Sequence, residues 1–280
     1  MYQQILFEID DPVATITLNR PDKLNAITDR MGREIRHAVA EAERSPEVVG
    51  IVITGAGRGF SAGVDMAELQ TIQSTGLISS IRGQDDLPAA HPGDPAMGDD
   101  FSSGWPFLLS VRKPVIAAIN GPCAGYGFSL VMFCDLRFLS ERATLIPSFS
   151  PRGLVAEHGT SWILPRLLGP SKALEVLWSG RRFDASEAHR LGLVNRVVEH
   201  DHLLDETKAY IRELAATSSP ASLMYMKNQV YRHLTLPLGQ SMADTNRLQD
   251  LTVTLPDFRE GLQSFLERRE PRFPRVAAGG

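Results

Sequence analysis

One stretch constrains this chain more than any other: an apolar run that breaks at glycine and restarts at helical spacing. Val115-Ile116-Ala117-Ala118-Ile119 reads as a buried strand, and Asn120-Gly121-Pro122 ends it. After Gly125-Tyr126-Gly127 the apolar segment Phe128–Phe133 reads as a helix starting near Gly125. A helix start leaves backbone N–H groups unpaired and carries the positive end of the dipole. Glycine beside it lets a ligand come close to the backbone. Such a corner can hold an oxygen that turns negative during a reaction, or it can be a plain turn.

A second corner of this kind precedes it. The β-branched run Val48–Thr54 follows a helix expected from Thr28, with Met31, Ile35, Ala38, Val39 and Ala42 at helical spacing. The run ends in Gly55-Ala56-Gly57-Arg58-Gly59-Phe60-Ser61-Ala62-Gly63-Val64-Asp65. A dinucleotide fingerprint needs glycine where Phe60 stands, and a P-loop needs Gly-Lys-Ser/Thr, so neither nucleotide motif is met. What remains is close backbone approach at Gly63 and an open amide at Val64. Two corners, at Val64 and Tyr126, can aim two amides at one oxygen, or they can be unrelated turns.

The remaining elements alternate in the same way. Ile5–Ile9 and Val13–Leu18 flank Asp10-Asp11-Pro12 and read as a hairpin, and Asn19–Lys23 as a loop. Residues 70–110 carry little pattern and read as a lid or a disordered segment. Lys172–Trp178 and Ala185–Leu191 read as helices and Leu193–Val198 as a strand. Helices then run over Leu203–Ala216, Ser222–Leu234 and Asp257–Arg269, with Phe258, Leu262, Phe265 and Leu266 on one face; the final residues, Val276–Gly280, are expected to fray. The class is α/β, with a helical C-terminal part from about residue 200.

Charge and cysteine usage narrow the function classes. The formal net charge of −4, without a long run of either sign, speaks against nucleic acid or an anionic membrane as partner. The two cysteines, Cys123 and Cys134, sit in apolar segments and read as small buried hydrophobes rather than a disulfide or zinc set. No charged leader and no bilayer-length apolar run is present, so a soluble cytosolic protein is expected. His200 and His202 lack a third ligand nearby, and Val131 stands where a nucleophile elbow around Ser129 needs glycine. Between residues 143 and 169 the single acid is Glu157, beside His158. An isolated carboxylate in a weakly polar segment is a candidate for a raised pKa, or it pairs with Arg152 or Arg166.

Five segments together resemble the enoyl-CoA hydratase/isomerase (crotonase) family: LNRPDKLNAIT (18–28), IVITGAGRGFSAGVDM (51–66), KPVIAAINGPCAGYGFSLVMFCD (113–135), GLVAEHGTSWILPRLLG (153–169) and FDASEAHRLGLVNRVV (183–198). Their order and separation match as well. The resemblance implies a spiral of ββα turns over about 1–200 and a helical region over 201–280 used to form a trimer or a dimer of trimers. It also implies an acyl-CoA thioester substrate, with no metal or redox cofactor. By position, the oxyanion-hole amides are those of Val64 and Tyr126, where the family usually has glycine at the second. Ala62, Asp65 and Met66 match the segment lining the CoA site, and Lys23, Leu24 and Ala26 match CoA contacts.

The resemblance also marks a departure. The two glutamates that hydratases of the family use to activate water align with Ser129 and Phe149, neither a carboxylate. Glu157 aligns with an aspartate carried by certain isomerases of the family and by its chlorobenzoyl-CoA dehalogenase. The expected function is therefore acyl-CoA chemistry through an enolate with Glu157 as acid/base, most simply double-bond isomerisation. The alternatives are hydration with water held by Glu157 and Ser129, nucleophilic attack by Glu157, and non-catalytic acyl-CoA binding. RNA binding on this fold would need a lysine-rich helix that the chain lacks.

Overall fold

The computed structural model describes residues 2–77 and 87–276. Nine strands and eleven α-helices follow in chain order among them. They are β1 (Ile5–Asp10), β2 (Val13–Leu18), α1 (Asp29–Arg44), β3 (Gly50–Gly55), α2 (Met66–Thr75), α3 (Phe107–Ser110), β4 (Val115–Ile119), β5 (Cys123–Ala124), α4 (Tyr126–Met132), β6 (Leu136–Ser140) and β7 (Thr144–Ile146). Then come α5 (Thr160–Leu168), α6 (Pro170–Ser179), β8 (Phe183–Asp184), α7 (Ala185–Leu191), β9 (Arg196–Val198), α8 (Leu203–Thr217), α9 (Pro220–His233), α10 (Leu238–Thr252) and α11 (Pro256–Glu267).

The expected hairpin is present: β1 pairs antiparallel with β2. From β2 onward the large sheet is parallel, in the order β1-β2-β3-β4-β6-β9. Parallel strands need both faces covered, and the side-chain alternation says how. Val13, Val52, Ile116, Ala118 and Phe138 pack with Leu203 and Ile211 of α8 on one face. Their neighbours Ala14, Ile51, Ile53, Val115, Ala117 and Ile119 face the main core, with Met31 and Ile35 of α1 and Phe128 and Leu130 of α4. Thr28 caps α1 by accepting from the Met31 amide, so the helix starts where the sequence places it.

A small second sheet, β5-β7-β8, runs beside the first. Successive turns of chain place one strand in each sheet and then a helix: β4, β5, α4, followed by β6, β7, α5. The β3 turn follows suit, since Ser61 bridges Cys123 of β5 before α2 begins. This is the repeated ββα winding the sequence leads one to expect. Cys123 and Cys134 are free and buried.

Two expectations need correction. Residues 70–110 are not a featureless lid: α2 extends to Thr75, and Met97, Phe101, Trp105 and Phe107–Leu109 are buried in the main core. The part of that expectation falling on 78–86 lies outside the described residues, and so does the fraying expected over 277–280. The strand expected over Leu193–Val198 is confined to Arg196–Val198, because Leu193 and Val194 turn into the core ahead of it.

The C-terminal helices join the core at defined points. Lys227 of α9 bonds Asp135 at 2.7 Å and the Lys113 carbonyl at 3.0 Å, and Tyr231 donates to the same Asp135 at 2.9 Å. This half-buried carboxylate also accepts from the Val115 amide, so both of its oxygens are paired. Among the described residues no helix is long and apolar enough to cross a membrane.

Candidate active site

The two glycine corners meet. Ala124 N donates to Ser61 O at 2.8 Å, which draws the start of α4 against the loop after β3, and Gly125 N donates to Ile146 O of β7 at 3.0 Å. Gly63 lies so close that a Cβ on it would sit 3.2 Å from Ala124 O and 3.6 Å from Tyr126 N. Its φ of +100° is a conformation that side-chain-bearing residues rarely adopt. Gly127 is needed for a similar reason, since a Cβ there would lie 2.6 Å from Ser61 Cβ. The Val64 and Tyr126 amides, one on each corner, donate to no carbonyl or side chain of the described residues.

The loop holding Lys23, Leu24 and Ala26 runs beside the Ala62–Met66 segment. Ala62 N donates to Leu24 O at 2.9 Å, Ile27 N to Gly63 O at 2.7 Å, and Asp65 N to Ile27 O at 3.0 Å. Arg20 ties the two together by donating to Ala26 O at 2.7 Å and to the Asp65 carboxylate at 2.8 Å. Lys23, Ala62 and Met66 are exposed, Leu24 and Asp65 half-buried, and Ala26 buried. Asp65 also caps α2 through the Ala67 amide; burial opposes its charge, but these bonds and the Arg20 charge hold its carboxyl below the usual range.

Both corners open on a cavity of about 370 Å³, lined by residues that include Val64, Tyr126, Leu154, Glu157 and His158. A smaller adjoining space of about 80 Å³ shares those five and adds Ala62, Met66, Phe149 and Arg152. Glu157 sits just ahead of α5, and its carbonyl accepts from the Thr160 amide and hydroxyl at 3.0 and 2.8 Å. The next two residues, His158 and Gly159, have φ of +55° and +81°. This turn places the acid in the wall of the cavities that the corners also line.

The anticipated choice for Glu157 resolves against the arginines. Arg166 lies 3.9 Å over the Trp162 ring and donates to Trp162 O, while Arg152 lies against Gly125. Burial alone raises the Glu157 pKa above the ordinary carboxylate value. His158 Nε2 is 3.9 Å from its carboxylate, but burial lowers the imidazole pKa to about 4, so this contact is no ion pair near neutral pH.

Tyr126 reshapes the cavity instead of avoiding it. Its ring packs between Trp105, with centroids 4.8 Å apart, and His158, at 4.4 Å. The three rings make one aromatic wall. Burial pushes the Tyr126 phenol up to about 12, so it stays protonated. Phe149 is buried and lines the smaller space. Ser129 is fully buried and donates to Gly125 O at 3.3 Å, and it does not reach either cavity.

Sequence reasoning missed Arg36, Glu68, Leu69 and Trp105 on the cavity wall. Trp105 lies in the aromatic run that ends the weakly patterned segment, the one signal that could have found it. Among the described residues no group of three or more His, Cys, Asp or Glu is placed to hold a metal ion.

Known proteins match this chain over nearly its whole length. The family model described as enoyl-CoA hydratase/isomerase matches residues 8–275. A Mycobacterium leprae protein named a probable enoyl-CoA hydratase is 35% identical, covering 97% of this chain and 98% of that one. The 1,2-epoxyphenylacetyl-CoA isomerase of Escherichia coli is 31% identical over 98% of this chain and 99% of its own. The crystal structure of an enoyl-CoA hydratase from Bacillus anthracis superposes with a TM-score of 0.83 at 26% identity, covering 97% of this chain and 99% of that one. A match across nearly the whole length, on a fold whose two glycine corners meet at an acid-lined cavity, places this chain in the enoyl-CoA hydratase/isomerase family of acyl-CoA enzymes.

Proposed function

We propose that the protein isomerises the double bond of an enoyl-CoA through an enolate, with Glu157 moving the proton. The carrying observation is that Glu157 lines the same cavity as the Val64 and Tyr126 amides and has no arginine partner among the described residues. In a 3-enoyl-CoA, the Glu157 carboxylate takes a proton from the carbon next to the thioester carbonyl. The electron pair moves onto the thioester oxygen, where the two amides stabilise the negative charge. The Glu157 carboxylic acid then returns the proton to the fourth carbon, giving the 2-enoyl-CoA. A raised pKa suits a group that must act first as base and then as acid.

The loop at Lys23, Leu24 and Ala26 and the facing Ala62, Asp65 and Met66 are proposed to hold the CoA portion. This reading calls for no metal or redox cofactor, for an oligomer of three or six subunits, and for a cytosolic setting. Hydration is the second reading, favoured by the relatives named hydratases. The burial of Ser129 and Phe149 weighs against it, since activating water and completing protonation is work for two acid/base groups.

Offering purified protein crotonyl-CoA and a 3-enoyl-CoA separates the two. The proposal expects rapid conjugation of the 3-enoyl-CoA and slow hydration of crotonyl-CoA. The reverse order rejects isomerisation, and binding without turnover of either leaves a non-catalytic binder.

A further inference from the structure

The cavity carries four more charged side chains, Asp29, Arg33 and Arg36 of α1 and Glu68 of α2. Three are engaged with one another: Arg33 pairs with Asp29 at 2.5 Å, and the Glu68 carboxylate accepts from the Asp29 amide at 2.9 Å. Arg36 differs. Its guanidinium lies 4.1 Å over the Phe107 ring and donates to Ser102 O at 3.2 Å and Gly104 O at 3.1 Å. It has no ion pair among the described residues, and those two bonds leave most of its N–H groups without an acceptor. Burial pulls its pKa below the usual guanidinium value, as for a cation partly stripped of water.

The Tyr126 hydroxyl is a second donor on this cavity, with no hydrogen bond to any described residue and near enough to Arg36 to sense its charge. The two acids beside it are engaged elsewhere, Asp29 with the Arg33 guanidinium and Glu68 with the Asp29 amide. A largely apolar cavity with an anchored, unpaired guanidinium and a free phenol in its wall is built for a chain with a polar, electron-rich end.

We infer that Arg36 receives a carboxylate at the end of the acyl chain remote from the thioester, so that the preferred substrates are ω-carboxyacyl-CoA thioesters rather than plain alkanoyl ones. This rests on the acyl-CoA reading above. A planar guanidinium fixed by two carbonyls and a ring offers a carboxylate a paired, charge-assisted contact at little ordering cost.

Binding of two saturated thioesters of equal length, hexanoyl-CoA and adipoyl-CoA, tests it by calorimetry without any turnover. Adipoyl-CoA should bind about ten- to a hundredfold tighter to the wild type, the range of a charge-assisted hydrogen bond. Arg36→Leu should bring the ratio toward one, and Arg36→Lys should keep part of it. Circular dichroism checks that each variant folds, and the wild-type ratio decides alone if Arg36→Leu does not. Equal binding of the two by the wild type, or a ratio that survives Arg36→Leu, overturns the inference while hexanoyl-CoA binding keeps the acyl-CoA reading standing. Binding of neither overturns both.

Discussion

Two adjacent residues divide the chemistry at the site. Glu157 and His158 are both partly stripped of water, and desolvation moves their pKa values in opposite directions: up for the acid, down to about 4 for the imidazole. A base that must be ionised loses activity as pH falls through its pKa. The acid limb of kcat/KM should therefore lie above the ordinary carboxylate range, and His158→Asn should leave that limb in place, since the neutral imidazole contributes no charge there. Asparagine suits the positive φ at this position. A pH–rate profile whose acid midpoint moves with the His158 substitution would contradict this assignment. Glu157 was visible in the sequence because it is the lone acid of a weakly polar segment. Arg36 was not, because on α1 it reads as an ordinary solvated residue opposite the Met31–Ile35–Ala38 stripe, and only the fold brings the 102–107 segment onto it.

At the scale of elements, the site depends on two strand-to-helix corners that touch through glycine. Gly63→Ala would combine a disfavoured φ with a Cβ 3.2 Å from Ala124 O, spreading the Val64 and Tyr126 amides apart. Losing one such donor costs about 10²–10³ in kcat in enzymes that depend on an oxyanion hole. A loss of that size in kcat, with the melting temperature lowered only modestly, is the expected result; unchanged kcat would mean that the corner does not hold the oxygen. These corners were legible because glycine and β-branched runs mark them. The extent of α2 was not, since none of its residues is buried and it carries no apolar stripe for periodicity to reveal. The Trp105 segment was hidden for the opposite reason: its core residues lie in irregular backbone and short turns of 3₁₀-helix, which have no long period.

The whole molecule leaves an apolar face uncovered at its C-terminal end. Phe258, Leu262, Phe265 and Leu266 of α11 are exposed by 52%, 52%, 79% and 71%. A contiguous exposed face of this kind marks an interaction surface. Sedimentation should return a mass that is a multiple of three times the 30.8 kDa subunit, and Phe265→Asp with Leu266→Asp should lower it to the monomer. A monomeric wild-type protein at micromolar concentration would rule out the trimer.

The most direct test of the central claim compares wild type with Glu157→Gln on a 3-enoyl-CoA while following affinity for a saturated acyl-CoA in parallel. General acid–base catalysis is worth about 10²–10⁴ in rate, so the variant should lose that much isomerase turnover. Its affinity for the saturated thioester should hold within a few-fold, because glutamine keeps the size of the side chain it replaces. Isomerisation at the wild-type rate by Glu157→Gln, or fast hydration that survives the substitution, would contradict the single-carboxylate mechanism.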